Sequence, residues 1–199
     1  MKTFRNLIII IIVGAALIFG YFKYIDRQKV KIKQLEDKIA LLKAENTPMR
    51  FKITEKTQDS IKLVIKFYDA DDVEINKIVT KLAGQELSFD FNVVAIKDYY
   101  VAFPSKLFSN LIAASDGMVL YNIYDKNGFP QVFESKNMDS DLKSGLEHLF
   151  TKIKSDQLDS INQQFGNMVH DIKGLKAFKP NIVYSIVCHS KGGIEIIEE

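Results

Sequence analysis

Residues 61–82 read IKLVIKFYDADDVEINKIVTKL. Ile61, Leu63, Ile65 and Phe67 alternate with Lys62, Val64 and Lys66, the two-residue period of a strand with one buried face. After the acidic segment Asp69–Glu74, residues Ile75, Ile78, Val79 and Leu82 recur at helical spacing, and Gly84 follows where a helix C-cap belongs. Outward from there, Leu87, Phe89, Phe91, Val93 and Ala95 alternate again, Lys97-Asp98 is a turn, and Tyr99 to Phe103 return. Pro104 and Ser105 open a second expected helix carrying Leu107, Phe108, Leu111 and Ile112, which ends at Asp116-Gly117 before a strand from Met118 to Tyr124.

The resulting β-α-β-β-α-β order is the split arrangement of ferredoxin-like domains. The expected fold class is therefore α+β, an antiparallel sheet with two helices on one face over residues 51–134. A short strand over Phe51 to Thr54 precedes it. Asp125-Lys-Asn-Gly128 signals a hairpin leading into an edge strand at Gln131 to Glu134. Residues 135–199 add a helical and hairpin extension to the α+β domain of 51–199. Leu142, Leu146, Leu149, Phe150 and Ile153 lie on one helix face, and the helical spacing resumes through Leu158, Ile161, Phe165, Met168, Val169 and Ile172. The chain closes with Ile182 to Cys188, a turn at Ser190 to Gly193, and Ile194 to Ile197. This extension either completes the same core or forms a separate docking appendage.

Before the domain, Leu7 to Phe22 form an unbroken apolar run with Lys2 and Arg5 ahead of it. With Tyr21, Tyr24 and Ile25 it approaches the length needed to span a bilayer, and its aromatic end suits the interface, so residues 1–24 read as an uncleaved signal anchor. A cleaved signal peptide fits less well, because a cut after Gly20 would be preceded by Ile18 and Gly20 rather than by a pair of alanines. The segment 25–47 reads as a coiled-coil stalk, with Ile25, Ile32 and Ile39 at a, Leu35 and Leu42 at d, and Asn46 at the next a position. Ile at a with Leu at d favours a parallel two-stranded pair, so a homodimer or heterodimer through these residues is expected, ending before Pro48. The expected location is a cell membrane, single-pass, with the body on the extracytoplasmic side. The cationic flank after the span argues for the cytoplasmic side and keeps that orientation open.

Residues 1–50 hold ten Lys and Arg against four Asp and Glu, a net +6, whereas residues 51–199 hold 17 against 21, a net −4. The acidic body argues against nucleic acid as a partner. Cys188 is the only cysteine, so no internal disulfide forms. Asp69, Asp71, Asp72 and Glu74 are read as helix-capping carboxylates, lacking the glycine and distant glutamate of a calcium loop. His189 lies between Cys188 and Ser190, but neighbours on a strand point to opposite faces and make a poor nucleophile and base. His148 and His170 fall on expected helices without paired metal spacing. No phosphate-cradling, nucleophile-elbow or dinucleotide motif occurs, so no cofactor, metal site or catalytic activity is expected.

The function expected from these features is that of a membrane-anchored interaction protein of a bacterial-type envelope, pairing through its stalk and docking a partner through its body. A tethered small-ligand-binding domain is the alternative. The sequence of a short N-terminus, membrane helix, coiled coil and ferredoxin-like domain resembles, in outline, inner-membrane assembly proteins of type IV pilus and type II secretion systems. The stalk by itself is similar to that of small septal division proteins.

Overall fold

The computed structural model describes residues 45–96 and 99–199, together with Ile18, Tyr21, Lys23 and Tyr24, which are helical and exposed. The stalk-pairing residues Ile25, Ile32, Leu35, Ile39 and Leu42 lie outside the described residues, as do the Lys97-Asp98 turn and most of the 7–22 run. Among the described residues no helix is long and apolar enough to cross a membrane.

The body is an α+β fold of antiparallel sheets with few helices. Five strands form one sheet in the order β11-β10-β1-β2-β3: Glu45–Lys56 (β1), Ser60–Tyr68 (β2), Glu74–Ala83 (β3), Val183–His189 (β10) and Ile194–Glu198 (β11). A second sheet has the order β6-β5-β4-β9, from Leu87–Ile96 (β4), Tyr99–Ser109 (β5), Met118–Val119 (β6) and Met168–Ile172 (β9). Asp125–Lys126 (β7) and Phe129–Pro130 (β8) make a small hairpin. Asn127 and Gly128 between them both take positive φ, 56° and 90°, as a two-residue turn matched to strand twist requires. Tyr121–Tyr124 (α1) is one turn, Ser140–Lys154 (α2) is the main helix, and Leu158–Gln164 (α3) is short.

The alternation read in β2 is borne out: Ile61, Leu63, Ile65 and Phe67 are all fully buried. They share a face with Met49, Phe51 and Ile53 of β1, opposite them in register. That face meets the second sheet at Phe51, whose ring centroid lies 4.9 Å from Phe89 of β4, 5.0 Å from Phe178 and 5.3 Å from Tyr184. Asp139 caps α2 by accepting from the backbone N–H groups of Asp141 and Leu142, at 2.8 and 3.4 Å. The α2 face of Leu142, Leu146, Leu149, Phe150 and Ile153 is buried as its spacing predicts.

Both helices expected in the first half are strands, so the ferredoxin-like order is overturned. Ile75, Ile78, Val79 and Leu82 satisfy helical spacing, but Ile78, Thr80 and Leu82 equally satisfy a period of two, and Val79 is left 58% exposed. The β-branched run Ile75, Ile78, Val79 and Thr80 resolves that ambiguity toward a strand. Over residues 104–109 the chain stays extended, with Leu107 and Phe108 both buried and Leu111 exposed. Pro104 is tolerated because the pairing of β4 with β5 shifts register there, and a bulge needs no ladder donor from it. The same device admits Pro48, inside the shift between Asn46 and Met49, so Glu45, Asn46 and Thr47 belong to β1 and not to a helical stalk.

Three smaller corrections follow the same physics. The Met118 to Tyr124 strand stops at Val119, and Leu120 and Tyr124 are buried around the single turn α1. Gln131–Phe133 is a 3-10 turn, not an edge strand. The helical spacing after Asp156 ends at Gln164, where Gly166 takes φ 135° and its backbone passes so close to the Ala95 carbonyl that no side chain fits. Met168–Ile172 then pairs with β4 instead of continuing the helix.

Truncating the ring at the contact between the sheets tests this arrangement. Phe51→Ala is expected to destabilise the chain by about 3–5 kcal/mol in urea unfolding. A loss below about 1 kcal/mol would mean that the ring is not at the centre of the core.

Candidate functional site

An antiparallel sheet buried on one face presents its other face to whatever lies outside. Here that outer face draws Arg50 and Lys52 from β1, Lys62 and Lys66 from β2, and Lys77 and Lys81 from β3. Register places them in rows. Arg50 lies opposite Lys66, which lies opposite Lys77, and Lys62 lies between Glu55 of β1 and Lys81 of β3. Between these rows runs a third, in which Val183 faces Lys52, Lys52 faces Val64 and Val64 faces Val79. Side chains directly opposite on neighbouring strands share a face and interact, and like charges so placed oppose the pairing.

Carboxylates reach this face at two places: Glu55 lies opposite Lys62 in register, and Asp72, Glu74 and Glu199 line one rim. Asp72 lies 2.9 Å and Glu199 3.0 Å from Arg50, whose guanidinium also covers the Tyr68 ring at 4.3 Å. Glu74 lies 2.6 Å from Lys66, and that contact holds the ammonium above its ordinary pKa. Lys52, Lys62, Lys77 and Lys81 have no carboxylate within ion-pair distance among the described residues. Lysines guard exposed edges against unwanted strand addition, which accounts for the pair on the edge strand β3. It does not account for the four cations on the interior strands β1 and β2.

The residues singled out from sequence fall elsewhere. The acidic segment sits in the β2–β3 connection and not at a helix start. Asp69 accepts from the N–H groups of Asp71 and Val73, Asp71 accepts from that of Lys136, and Asp72 and Glu74 form the rim just described. Cys188 is buried, and burial pushes its thiol up to about 12. Its neighbour His189 turns away, with Nδ1 3.3 Å from Glu45 Oε1. Cys188, Asn46, Val101 and Phe133 line a cleft in which two polar side chains are engaged: Asn46 Nδ2 donates to the Val132 carbonyl and Glu45 meets His189. A ligand site needs convergent polar groups that are free. His148 is exposed on α2 with its ring 5.6 Å from that of Phe165.

His170 lies on β9 rather than on a helix, and it joins a polar file that sequence reading did not detect. Ser88, Asp90 and Asn92 alternate along β4 and are all buried. Ser105 Oγ donates to Asp90 Oδ2 at 2.7 Å, and His170 Nδ1 lies 3.3 Å from the same oxygen. Ser88 Oγ donates to the Lys173 carbonyl, and Asn92 Nδ2 donates to the Tyr121 hydroxyl, whose pKa burial pushes up. Serine and histidine here meet one carboxylate oxygen separately, so no relay from hydroxyl through imidazole to carboxylate exists. The file fastens β9 and α1 to β4.

The class defined by this structure is an α+β protein of two antiparallel sheets whose larger sheet carries an open basic face. No family model matches the chain, and no curated protein or solved structure matches it.

Two measurements check the site. Lys81→Glu places an opposite charge across from Lys62 and is expected to raise stability by roughly 0.2–1 kcal/mol in urea, a gain that shrinks with added salt. A loss of stability would show that the lysine pair is not repulsive. Cys188 is expected to resist alkylation at neutral pH in the folded chain and to react once urea unfolds it; rapid labelling of the native protein would contradict its burial.

Proposed function

We propose that this chain is a single-pass membrane-anchored interaction protein whose body docks an anionic protein partner on the open face of its five-stranded sheet. In this reading residues 7–22 hold the chain in the bilayer. The stalk that follows pairs two chains through Ile25, Ile32, Leu35, Ile39 and Leu42, and the body stands on the extracytoplasmic side.

The observation that carries the reading is that Lys52, Lys62, Lys77 and Lys81 gather on this face with no carboxylate within ion-pair distance among the described residues, in a body whose net charge is −4. The opposition of Lys62 to Lys81 weakens the sheet at that point, and a protein retains a local conflict of that kind where a function uses it. The acidic remainder of the body repels the same partner elsewhere and so orients it. The stalk is itself basic and is not the occupant. The ligand-binding alternative has less support, since the polar groups of the cleft at Asn46 and Glu45 already have partners.

Membrane attachment and pairing are tested together in intact cells. The chain is expected to remain in the membrane pellet after high-pH carbonate, to crosslink as a dimer, and to lose that dimer on Ile39→Lys. Release into the carbonate wash, or a crosslinking pattern indifferent to Ile39→Lys, overturns the anchored pair.

A further inference from the structure

We infer that the free edge of β9 pairs with the β9 of a second copy of this chain, antiparallel about a two-fold axis at Ile172, so that the two smaller sheets join into one. This rests on the reading of the stalk as the element that pairs two chains, and adds the contact that their bodies make.

The edge is open and already extended. β9 ends the second sheet. The Lys173 N–H donates to the Phe89 carbonyl and the Asn167 carbonyl accepts from the Ala95 N–H, so the odd-numbered residues here turn their peptide groups toward β4. Those of His170 and Ile172 therefore point away from β4, to the side where no strand lies among the described residues. The strand is held from behind by the Asp90–His170 contact, by Ser88 on the Lys173 carbonyl and by Asn162 Oδ1, which accepts from the Met168 N–H at 2.9 Å. An edge fixed in this way has little ordering cost left to meet on pairing. Val169, Ile172 and Leu175 are 56%, 52% and 48% exposed along it, and no described atom lies within 4 Å of where a side chain on Gly174 would begin.

What selects a second copy as the occupant is that the edge is complementary to itself. Centred on Ile172, antiparallel pairing sets Ile172 against its own copy, Asp171 against the partner's Lys173, and brings Val169 toward the partner's Leu175. Within one chain Lys173 Nζ already lies 2.7 Å from Asp171 Oδ2, so the pairing assembles four charges of alternating sign. The same register makes Ile172 a hydrogen-bonded pair, which uses the outward donors and acceptors. The other edges of the two sheets are guarded. β3 carries Lys77 and Lys81, β11 carries Glu195 and Glu198, so each repels its own copy, and β6 is only two residues long. β3 and β11 attract one another, but that contact runs head to tail and builds a file of copies instead of closing a pair. An edge as short as β9 buries too little to hold a dimer alone. The stalk supplies what is missing by keeping the second β9 at high local concentration.

The test is disulfide trapping of the full-length chain in isolated membranes, with copper phenanthroline as the oxidant. The Cα atoms of a hydrogen-bonded antiparallel pair lie about 5.5 Å apart, inside the range that a disulfide spans. Ile172→Cys is expected to give a disulfide-linked dimer at least about tenfold faster than Val169→Cys, which is as exposed but lies roughly 20 Å from its own copy in this register. The natural chain, whose Cys188 is buried, is the blank. Adding Asp171→Lys sets like charges across the axis and is expected to slow trapping at Ile172→Cys several-fold, and Lys173→Asp on top of it restores the rate. Equal rates at the two positions, or a rate indifferent to the charge reversals, overturns the edge pairing. Ile39→Cys, oxidised in parallel, separates the two readings. Trapping at Ile39 without trapping at Ile172 removes the edge contact and leaves the stalk pair. Trapping at Ile172 that Ile39→Lys does not slow leaves the edge contact and removes the stalk pair.

Discussion

The structure depends on β1 holding partners on both sides. It pairs with its sequence neighbour β2 and with β10, more than a hundred residues later, so the larger sheet closes only when the two ends of the body meet. Phe51, midway along β1, is the point at which that sheet touches the other, through Phe89, Phe178 and Tyr184. Without this strand the sheet falls into two separate hairpins, neither of which buries enough apolar area to persist in water. The loop closed by the β1–β10 pairing is long, so the sheet forms after the chain has paid a large entropic cost and holds through the apolar burial that follows. Because β1 starts at Glu45, any restraint on the preceding chain acts directly on this central strand.

Irregularities in the strands carry as much of the design as the regular ladders. Pro48 and Pro104 both sit where a register shift removes the need for a backbone donor, which lets β1 and β5 run longer than their composition suggests. Beside the second bulge, Ser105 bonds to Asp90, and the same carboxylate reaches His170 on β9. Along the thoroughly buried β4, Asp90 is met by Ser105 of β5 and His170 of β9 and Asn92 by Tyr121 of α1, while Asp90 Oδ1 and Asn92 Oδ1 find no hydrogen-bond partner among the described residues. The polar file therefore fixes which elements cover the second sheet, while the aromatic contacts of Phe51 fix how the two sheets face each other.

The open face was hidden from sequence reading for one identifiable reason. Lys62 and Lys66 were recognisable as the solvent side of a strand, but Lys77 and Lys81 were assigned to a helix, and on a helix they do not stand opposite anything on β2. Net charge concealed the feature further, since a body at −4 gives no hint of cations gathered on one side of it. The apolar face of α2 was legible because it follows from neighbours close in sequence. His170 was not, since its partner Asp90 is eighty residues away.

Sequence by itself determined the elements whose period admits one reading. These are β2 and β4, where Ile61 to Phe67 and Leu87 to Val93 place an apolar residue at every second position, α2 with three turns of apolar spacing, and the turns at Asn127-Gly128 and Gly192-Gly193. Tertiary structure decided the short apolar runs at 75–82 and 104–112, where helical and extended periods fit the same residues equally well. There the choice fell to neighbours distant in the chain: a free edge on β2 recruits residues 74–83 as a strand, and the exposed ladder of β4 draws out β5 through Pro104. A run of eight residues is too short for its own periodicity to outweigh the backbone hydrogen bonds that an open sheet edge offers.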